Sequence, residues 1–568
     1  MNEENMKIIT DEFISKYKNK QPNWGFNGLG YIVYKRTYAR VKNDGNTEEW
    51  YETVQRCVNG AQDIGAGYTK EEAQALYDYV FNLKCNFAGR MLWQLGTPTV
   101  KRWGANSLLN CWAVAMREPK ALLFLFENLM LGGGVGYSIR REDVHELPKI
   151  KTGVQISHQA TKDADFIVPD SREGWVKLLE NLLNAFYVNG KSFTYSTILI
   201  RGKGEIINGF GGKASGPQIL VEGIEKITKI FQSREGKKLR SIDVLDICNI
   251  IGSIVVAGNV RRSAEIALGD PDDILYIRAK NWSSGNVPNW RAMSNNTLYA
   301  DDFDHIMNEV WENGYSLDKE TGTAKGEPYG FFNLPLSQKY GRIKDGPIKD
   351  NKMYPTNVDN CEMTNPCAEI SLSNYECCNL CELYLNNITS KEELIECAEL
   401  LYKTQKAIAA LPFIHEETNK IVHKNMRLGL GVTGVCQSLD KVEWLDDCYI
   451  ALRKLDRQWS KEKGHSESIK LTTVKPSGTL SLLAGATPGV HPAYSQYYFR
   501  TVRMASSDKL IQICKDMGYH TEYLLNFDGT ENRDTVVVYF PCETPQGAIL
   551  AKDMDVIKQL DMVKRLQE

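Results

Sequence analysis

The densest grouping of reactive side chains in the sequence is Asn365-Pro366-Cys367-Ala368-Glu369, with Cys377-Cys378-Asn379-Leu380-Cys381 close behind it. Pro366 biases Asn365 toward extended geometry. If that geometry continues, Asn365, Cys367 and Glu369 fall at a period of two and point the same way. One short segment would then present an amide, a thiol and a carboxylate to a single substrate. The plainer alternative is a loop with a buried Cys and an exposed Glu, since free Cys is commonly buried. Cys378-Asn379-Leu380-Cys381 is formally C-x-x-C, which can mark a redox motif or half of a zinc site. There is no second C-x-x-C, and the eight His offer no paired spacing nearby, so no metal ligands are assigned. Cys111 sits in an apolar run and by itself reads as core.

Phosphate groups need backbone N–H donors in a glycine-containing turn or at a helix start. Lys475-Pro476-Ser477-Gly478-Thr479 supplies small hydroxylic residues, a Gly and a Lys, although an ordinary turn has the same look. Gly132-Gly133-Gly134-Val135-Gly136 and Gly211-Gly212-Lys213-Ala214-Ser215-Gly216 are neither a Walker A sequence nor a complete dinucleotide fingerprint. They read as tight turns where backbone approaches substrate or cofactor. Ser294-Asn295-Asn296 reads as a polar loop.

The elements that must position these groups alternate along the chain. Residues 1–105 read as mainly helical, with Ala73, Leu76, Tyr77, Val80 and Phe81 at helical spacing within Lys70–Lys84. From 106 to 568, apolar strand-like runs (Tyr195–Ile200, Val536–Phe540) alternate with helices and form one large catalytic domain. Ser390 and Glu393 make a capping box ahead of a helix to about Ala410, and a helix over Leu445–Lys463 stops at Gly464. Such alternation predicts an α/β architecture with a largely parallel sheet.

The 568 residues carry 68 Lys and Arg against 71 Asp and Glu, a net charge of −3. That near-balance leaves no electrostatic footprint for nucleic acid or an anionic membrane. No stretch reaches the length of apolar residues that a membrane helix needs. The acidic N-terminus MNEENMKIITDEF lacks a signal core, so a cytoplasmic location is expected, with the fourteen Cys mostly thiols.

NPCAEISL resembles the active-site finger loop of ribonucleotide reductases, and the likeness extends along the chain. Asn23-Trp24-Gly25, Tyr34-Lys35-Arg36-Thr37-Tyr38-Ala39-Arg40 and Asn106-Ser107-Leu108-Leu109-Asn110-Cys111-Trp112 are similar to the monomeric adenosylcobalamin-dependent ribonucleoside-triphosphate reductases. So are Gly132–Gly136, Pro169-Asp170-Ser171-Arg172-Glu173-Gly174-Trp175, Gly258-Asn259-Val260-Arg261-Arg262-Ser263-Ala264-Glu265 and Lys475–Thr479, all in one order over roughly residues 20 to 540.

The resemblance implies a ten-stranded α/β barrel with a central finger loop and a helical N-terminal region. It implies adenosylcobalamin as cofactor, a ribonucleoside triphosphate as substrate, a deoxynucleotide as effector, and thioredoxin or a similar dithiol as reductant. By motif, Cys367 carries a thiyl radical, Glu369 is the general base, Asn365 hydrogen-bonds the substrate hydroxyls, and Cys111 with Cys378 forms the reducing pair. Ser294 and Asn295 become substrate-side residues, and Lys475, Pro476, Ser477, Gly478 and Thr479 a phosphate cradle. Cys377 and Cys381 are extra thiols able to compete for Cys378.

Two other readings stay open: a class I catalytic subunit fed by a partner's radical, and a non-catalytic nucleotide-binding fragment. The sequence departs from the family in three places. Ala368 stands where a Gly is usual, the segment between Tyr137 and Pro169 reads as a shortened effector insertion, and the chain stops at Glu568. That stop leads to the expectation that the last part of the barrel and a shuttle-cysteine tail are missing, and that a second polypeptide completes the enzyme.

Overall fold

The structure is a computed structural model that describes residues 7–205, 214–256, 264–301, 307–314, 316–317, 324–325, 329–340, 348–349, 352–353, 359–525 and 530–567. Two compact units divide it: one comprises 1–108, 379–412 and 425–568, the other 109–378 and 413–424.

The second unit is organised on a six-stranded sheet. Its order is Gly330–Phe332, Ser294–Tyr299, Glu265–Gly269, Gly134–Ser138, Cys111–Ala115 and Cys377–Cys378. All neighbours run parallel except Cys377–Cys378, which is antiparallel to Cys111–Ala115. The central strands are buried along their whole length, as expected where helices cover a parallel sheet. Helix Lys120–Met130 makes one crossover and buries Leu122, Phe124, Leu125, Phe126 and Leu129. Helix Ser241–Val256 leads toward Glu265–Gly269 and is apolar enough to bury nearly every residue. A separate three-stranded parallel sheet pairs Ile156–His158 and Phe166–Ile167 with Phe193–Ser196, beside helices Arg172–Asn184 and Gln218–Ser233. The strand expected over Tyr195–Ile200 thus begins and ends earlier, because the chain turns after Ser196 and Thr197.

The glycine-rich block 132–136 is only partly a turn. Gly132 takes φ +76°, but Gly134–Ser138 is a strand. Its glycines make room for the hairpin Met363–Thr364 with Ser371–Leu372. A Cβ on Gly136 would lie 1.8 Å from the Thr364 carbonyl oxygen, and one on Gly134 2.8 Å from Pro366 Cγ. The close approach expected of this block is therefore to the protein's own hairpin.

The first unit holds a four-stranded sheet in the order Cys85–Phe87, Leu380–Tyr384, Gly429–Thr433 and Thr472–Thr473. Cys85–Phe87 is antiparallel and the others are parallel. Helices Trp50–Asp63, Lys70–Phe81 and Lys391–Ala409 belong to this unit. Ser390 caps the last of them by accepting the Glu393 N–H, while the Glu393 carboxylate accepts from the Thr389 N–H at 2.7 Å. The capping box is thus half formed, its return arm shifted one residue upstream. Helix Trp444–Lys463 ends at Gly464 with φ +70°, as its sequence predicts. It is tied to Lys391–Ala409 by the fully buried Lys406–Asp456 pair at 2.9 Å. An antiparallel sheet of Tyr497–Ala505, Glu531–Glu543 and Thr521–Leu525 encloses the expected strand Val536–Phe540. Among the described residues no helix is long and apolar enough to cross a membrane.

Replacing Gly136 by Ala forces the hairpin off its seat. We expect a loss of about 1–3 kcal/mol, the usual cost of overpacking, read as a lower midpoint in urea unfolding.

Candidate active site

The reactive segment forms the tip of the 363–372 hairpin. The Asn365 N–H donates to Ile370 O at 3.2 Å, which extends the ladder by one pair, and the Ala368 N–H donates to Asn365 O at 2.9 Å. The tip is therefore a tight turn, and the extended run expected over 365–369 is overturned. Asn365 still bonds across the hairpin to Ile370, but the turn follows at once. As a result the three functional groups are graded by depth: Asn365 is buried, Glu369 half-buried and Cys367 exposed.

Asn365 Oδ1 accepts the Ile370 N–H at 3.1 Å, which locks the tip. Its Nδ2 is buried and has no hydrogen-bond partner among the described residues, so an amide donor remains for a ligand. Ala368, the residue in the usual Gly position, takes φ +61°. The tip thus needs a left-handed residue and obtains it from an alanine, at roughly 1 kcal/mol or more of steric cost.

Cys111 and Cys378 are direct partners in the antiparallel register of Cys377–Cys378 with Cys111–Ala115. Opposed residues in such a pair carry Cβ atoms about 4.5–5.5 Å apart, near the range a disulfide needs. Burial pushes the Cys378 thiol well above its ordinary pKa, and the adjoining Cys111 thiol and the Glu369 carboxylate push it further. The same interactions place Glu369 and both thiols in one electrostatic neighbourhood. Cys377 lies opposite Trp112 and its thiol is likewise raised by burial. Cys381 has other surroundings: its sulfur contacts Met91 Sδ at 3.8 Å.

Asn295 is exposed, and its strand neighbours in register are Ile266 and then Gly136, whose missing Cβ faces the hairpin. Ser294 points the other way. Its hydroxyl bonds Asn296 Oδ1 at 2.9 Å, and its carbonyl accepts from Lys280. Sequence reasoning put both residues beside the substrate, but only Asn295 offers an exposed side chain. The buried layer around Ser294 also holds Glu265, which the sequence reading used only as part of a motif. Desolvation raises its carboxyl well above the usual range, against the opposing pull of Tyr137 and Lys280.

Lys475–Thr479 belongs to the first unit and is irregular, leading into the short helix Leu480–Leu483. Pro476 and Gly478 are exposed, whereas Lys475 and Ser477 are buried. Ser477 Oγ has no hydrogen-bond partner among the described residues. Residues 211–213 and 257–263, and with them half of the Gly211–Gly216 motif and most of the Gly258–Glu265 motif, lie outside the described residues. Among the described residues no group of three or more His, Cys, Asp or Glu is arranged to hold a metal ion.

Two outcomes are expected from this geometry. Ala368→Gly should stabilise the chain by roughly 0.5–1 kcal/mol, the relief of strain less the added freedom of the unfolded chain, measured by thermal unfolding. Iodoacetamide at pH 8 should modify Cys367 first. Labelling of Cys378 should lag and keep accelerating above the ordinary thiol range, because only the thiolate reacts and its raised pKa keeps that form scarce. Peptide mass spectrometry reads both rates.

Comparison with known proteins bears on the whole chain. Family models match for the ribonucleotide reductase alpha domain at residues 9–97, the B12-dependent ribonucleotide reductase insertion domain at 145–231, and the ribonucleotide reductase barrel domain at 344–445. The insertion-domain match runs through to residue 231, well past Pro169, where the sequence reading ended the insertion. An adenosylcobalamin-dependent ribonucleoside-triphosphate reductase of Lactobacillus delbrueckii subsp. bulgaricus is 35% identical over 94% of this chain and 82% of its own length. A probable enzyme of the same description from Dictyostelium discoideum is 33% identical over 99% of this chain and 76% of its own. A crystal structure of a B12-dependent (class II) ribonucleotide reductase superposes with a TM-score of 0.83 at 31% identity, covering 98% of this chain and 87% of that one.

Proposed function

The chain belongs to the adenosylcobalamin-dependent ribonucleotide reductase family, and from that premise we propose that it reduces ribonucleoside triphosphates to their 2′-deoxy forms through Cys367. The observation that carries the residue assignment is the register pairing of Cys111 with Cys378 in the neighbourhood of Glu369, next to a hairpin tip that exposes Cys367.

Hydroxide leaves an unactivated carbon poorly, and a radical on the adjacent carbon removes that difficulty. Adenosylcobalamin, when bound, supplies the oxidising equivalent that converts a thiol to a thiyl radical. Its fit can be judged on one residue: among the described cysteines Cys367 alone is exposed, so it alone is open to a large cofactor.

In this reading the Cys367 thiyl takes the 3′-hydrogen and Glu369 accepts the 3′-OH proton. Asn365, through its spare Nδ2, holds the substrate hydroxyls in place. Cys111 and Cys378 together give two electrons and two protons. The 2′-oxygen departs as water, the 2′-carbon gains hydrogen, and the thiols become a disulfide. Cys367 then returns its hydrogen to C3′, and Glu369 returns the proton to the 3′-oxygen. The raised pKa of Cys378 keeps its proton in place until it is needed. A dithiol such as thioredoxin would reduce the disulfide for the next cycle. The match to a B12-dependent insertion domain disfavours a class I subunit.

Anaerobic turnover with adenosylcobalamin and dithiothreitol tests this reading. Deoxynucleotide should form only with the cofactor, and Cys367→Ser should abolish it. Glu369→Gln should lower kcat by about 10²–10⁴-fold, the usual share of a general base. After one turnover without reductant, peptide mapping should find a Cys111–Cys378 disulfide. A dominant link to Cys377 or Cys381 would overturn the assignment of the pair.

A further inference from the structure

Glu382 is fully buried, and no step of the proposed reaction uses it. It lies on strand Leu380–Tyr384, on the same face as Tyr384, with Asn386 just beyond the strand end. All three reach the segment that begins at Lys475. Glu382 Oε2 is 3.4 Å from Lys475 Nζ, an ion contact with 0% and 7% of the two side chains exposed. The Tyr384 hydroxyl donates to Leu480 O at 3.0 Å, and Asn386 Nδ2 donates to Ala484 O at 3.1 Å.

Two glycines make these contacts sterically feasible. Gly431, the register partner of Glu382, lets the lysine stem pass; a Cβ there would meet Lys475 Cε at 2.7 Å. Gly489 takes φ +57°, where a Cβ would lie 2.2 Å from Lys475 O, and its N–H donates to Thr433 Oγ1 at 3.0 Å. The tethers leave Ser477 Oγ without a partner among the described residues, and the space beside Gly478 open.

We propose that Glu382 is a positioning residue for the triphosphate: through Lys475 it fixes the Lys475–Thr479 segment, so that Ser477, Gly478 and Thr479 recognise phosphate while the lysine serves as the anchor. This rests on the reductase reading above for the identity of the ligand. A buried charge left alone is far more damaging than the loss of both partners, and this asymmetry supplies the test.

The full chain is compared as wild type, Glu382→Gln, Lys475→Met and the double variant. The readouts are kcat and KM with adenosylcobalamin and dithiothreitol, and the Kd of radiolabelled ribonucleoside triphosphate by equilibrium dialysis. Glu382→Gln should raise KM and Kd about tenfold or more with kcat within about twofold, and the double variant should return to within about threefold of wild type. Glu382→Asp, which keeps the charge, should stay near wild type. A double variant as weak as Lys475→Met would make the lysine itself the phosphate ligand and overturn the proposal, as would an unchanged Kd in a folded Glu382→Gln. Should that single variant fail to fold, the double variant against Lys475→Met decides. A wild-type chain that binds triphosphate without turning it over counts against the reductase reading alone, because the Kd comparison still decides this inference.

Discussion

The site in the second unit depends on one steric fact: the Gly134–Ser138 strand leaves its surface bare where the 363–372 hairpin lies. The hairpin has a ladder of only two residue pairs and a closed tip, too little to hold a conformation in water unaided. It is ordered because backbone meets backbone, with the Thr364 carbonyl occupying the space a side chain of residue 136 would need. The placing of the three tip residues goes with that contact. The tip projects, Asn365 is drawn inside, and Glu369 stays half-buried beside the thiol pair.

Burial sets one cysteine apart from the rest. Cys367 is exposed, as the radical role proposed for it requires. Cys378 is buried and its thiol pKa is raised, which suits the hydrogen-donating role proposed for it. Others, such as Cys57 and Cys381, have carbonyls or thioethers around them and behave as small apolar residues.

The α/β class, the helices over Lys70–Phe81 and Trp444–Lys463 and the barrel family were legible, because periodicity, caps and ordered motifs are local or additive signals. The tip geometry was not. Pro366 constrains the residue before it and says nothing of the turn after it, so the period-two alignment of Asn365, Cys367 and Glu369 failed. The sequence marks Ala368 as standing where a Gly is usual, and the residue takes the positive φ a glycine would reach freely. Ser294 and Asn295 could not be told apart by a motif, since neighbours on a strand face opposite ways. Glu382 and Tyr384 had a readable signal, polar residues alternating with Cys and Leu in an otherwise apolar run, but a buried carboxylate acquires meaning only when its partner, here more than ninety residues away, is known.

The alternation of Cys377 and Cys378 has a bearing on how this chain tolerates change. Adjacent strand residues project to opposite sides, so Cys377 faces Trp112 while its neighbour faces Cys111. The pleat thus sets which residue each thiol opposes. A cysteine at an odd offset from Cys378 therefore meets a different cross-strand partner, as Cys377 does. Strand register, rather than the number of thiols, therefore decides which sulfur stands across from Cys111, and a slip of one residue would put Cys377 there in place of Cys378.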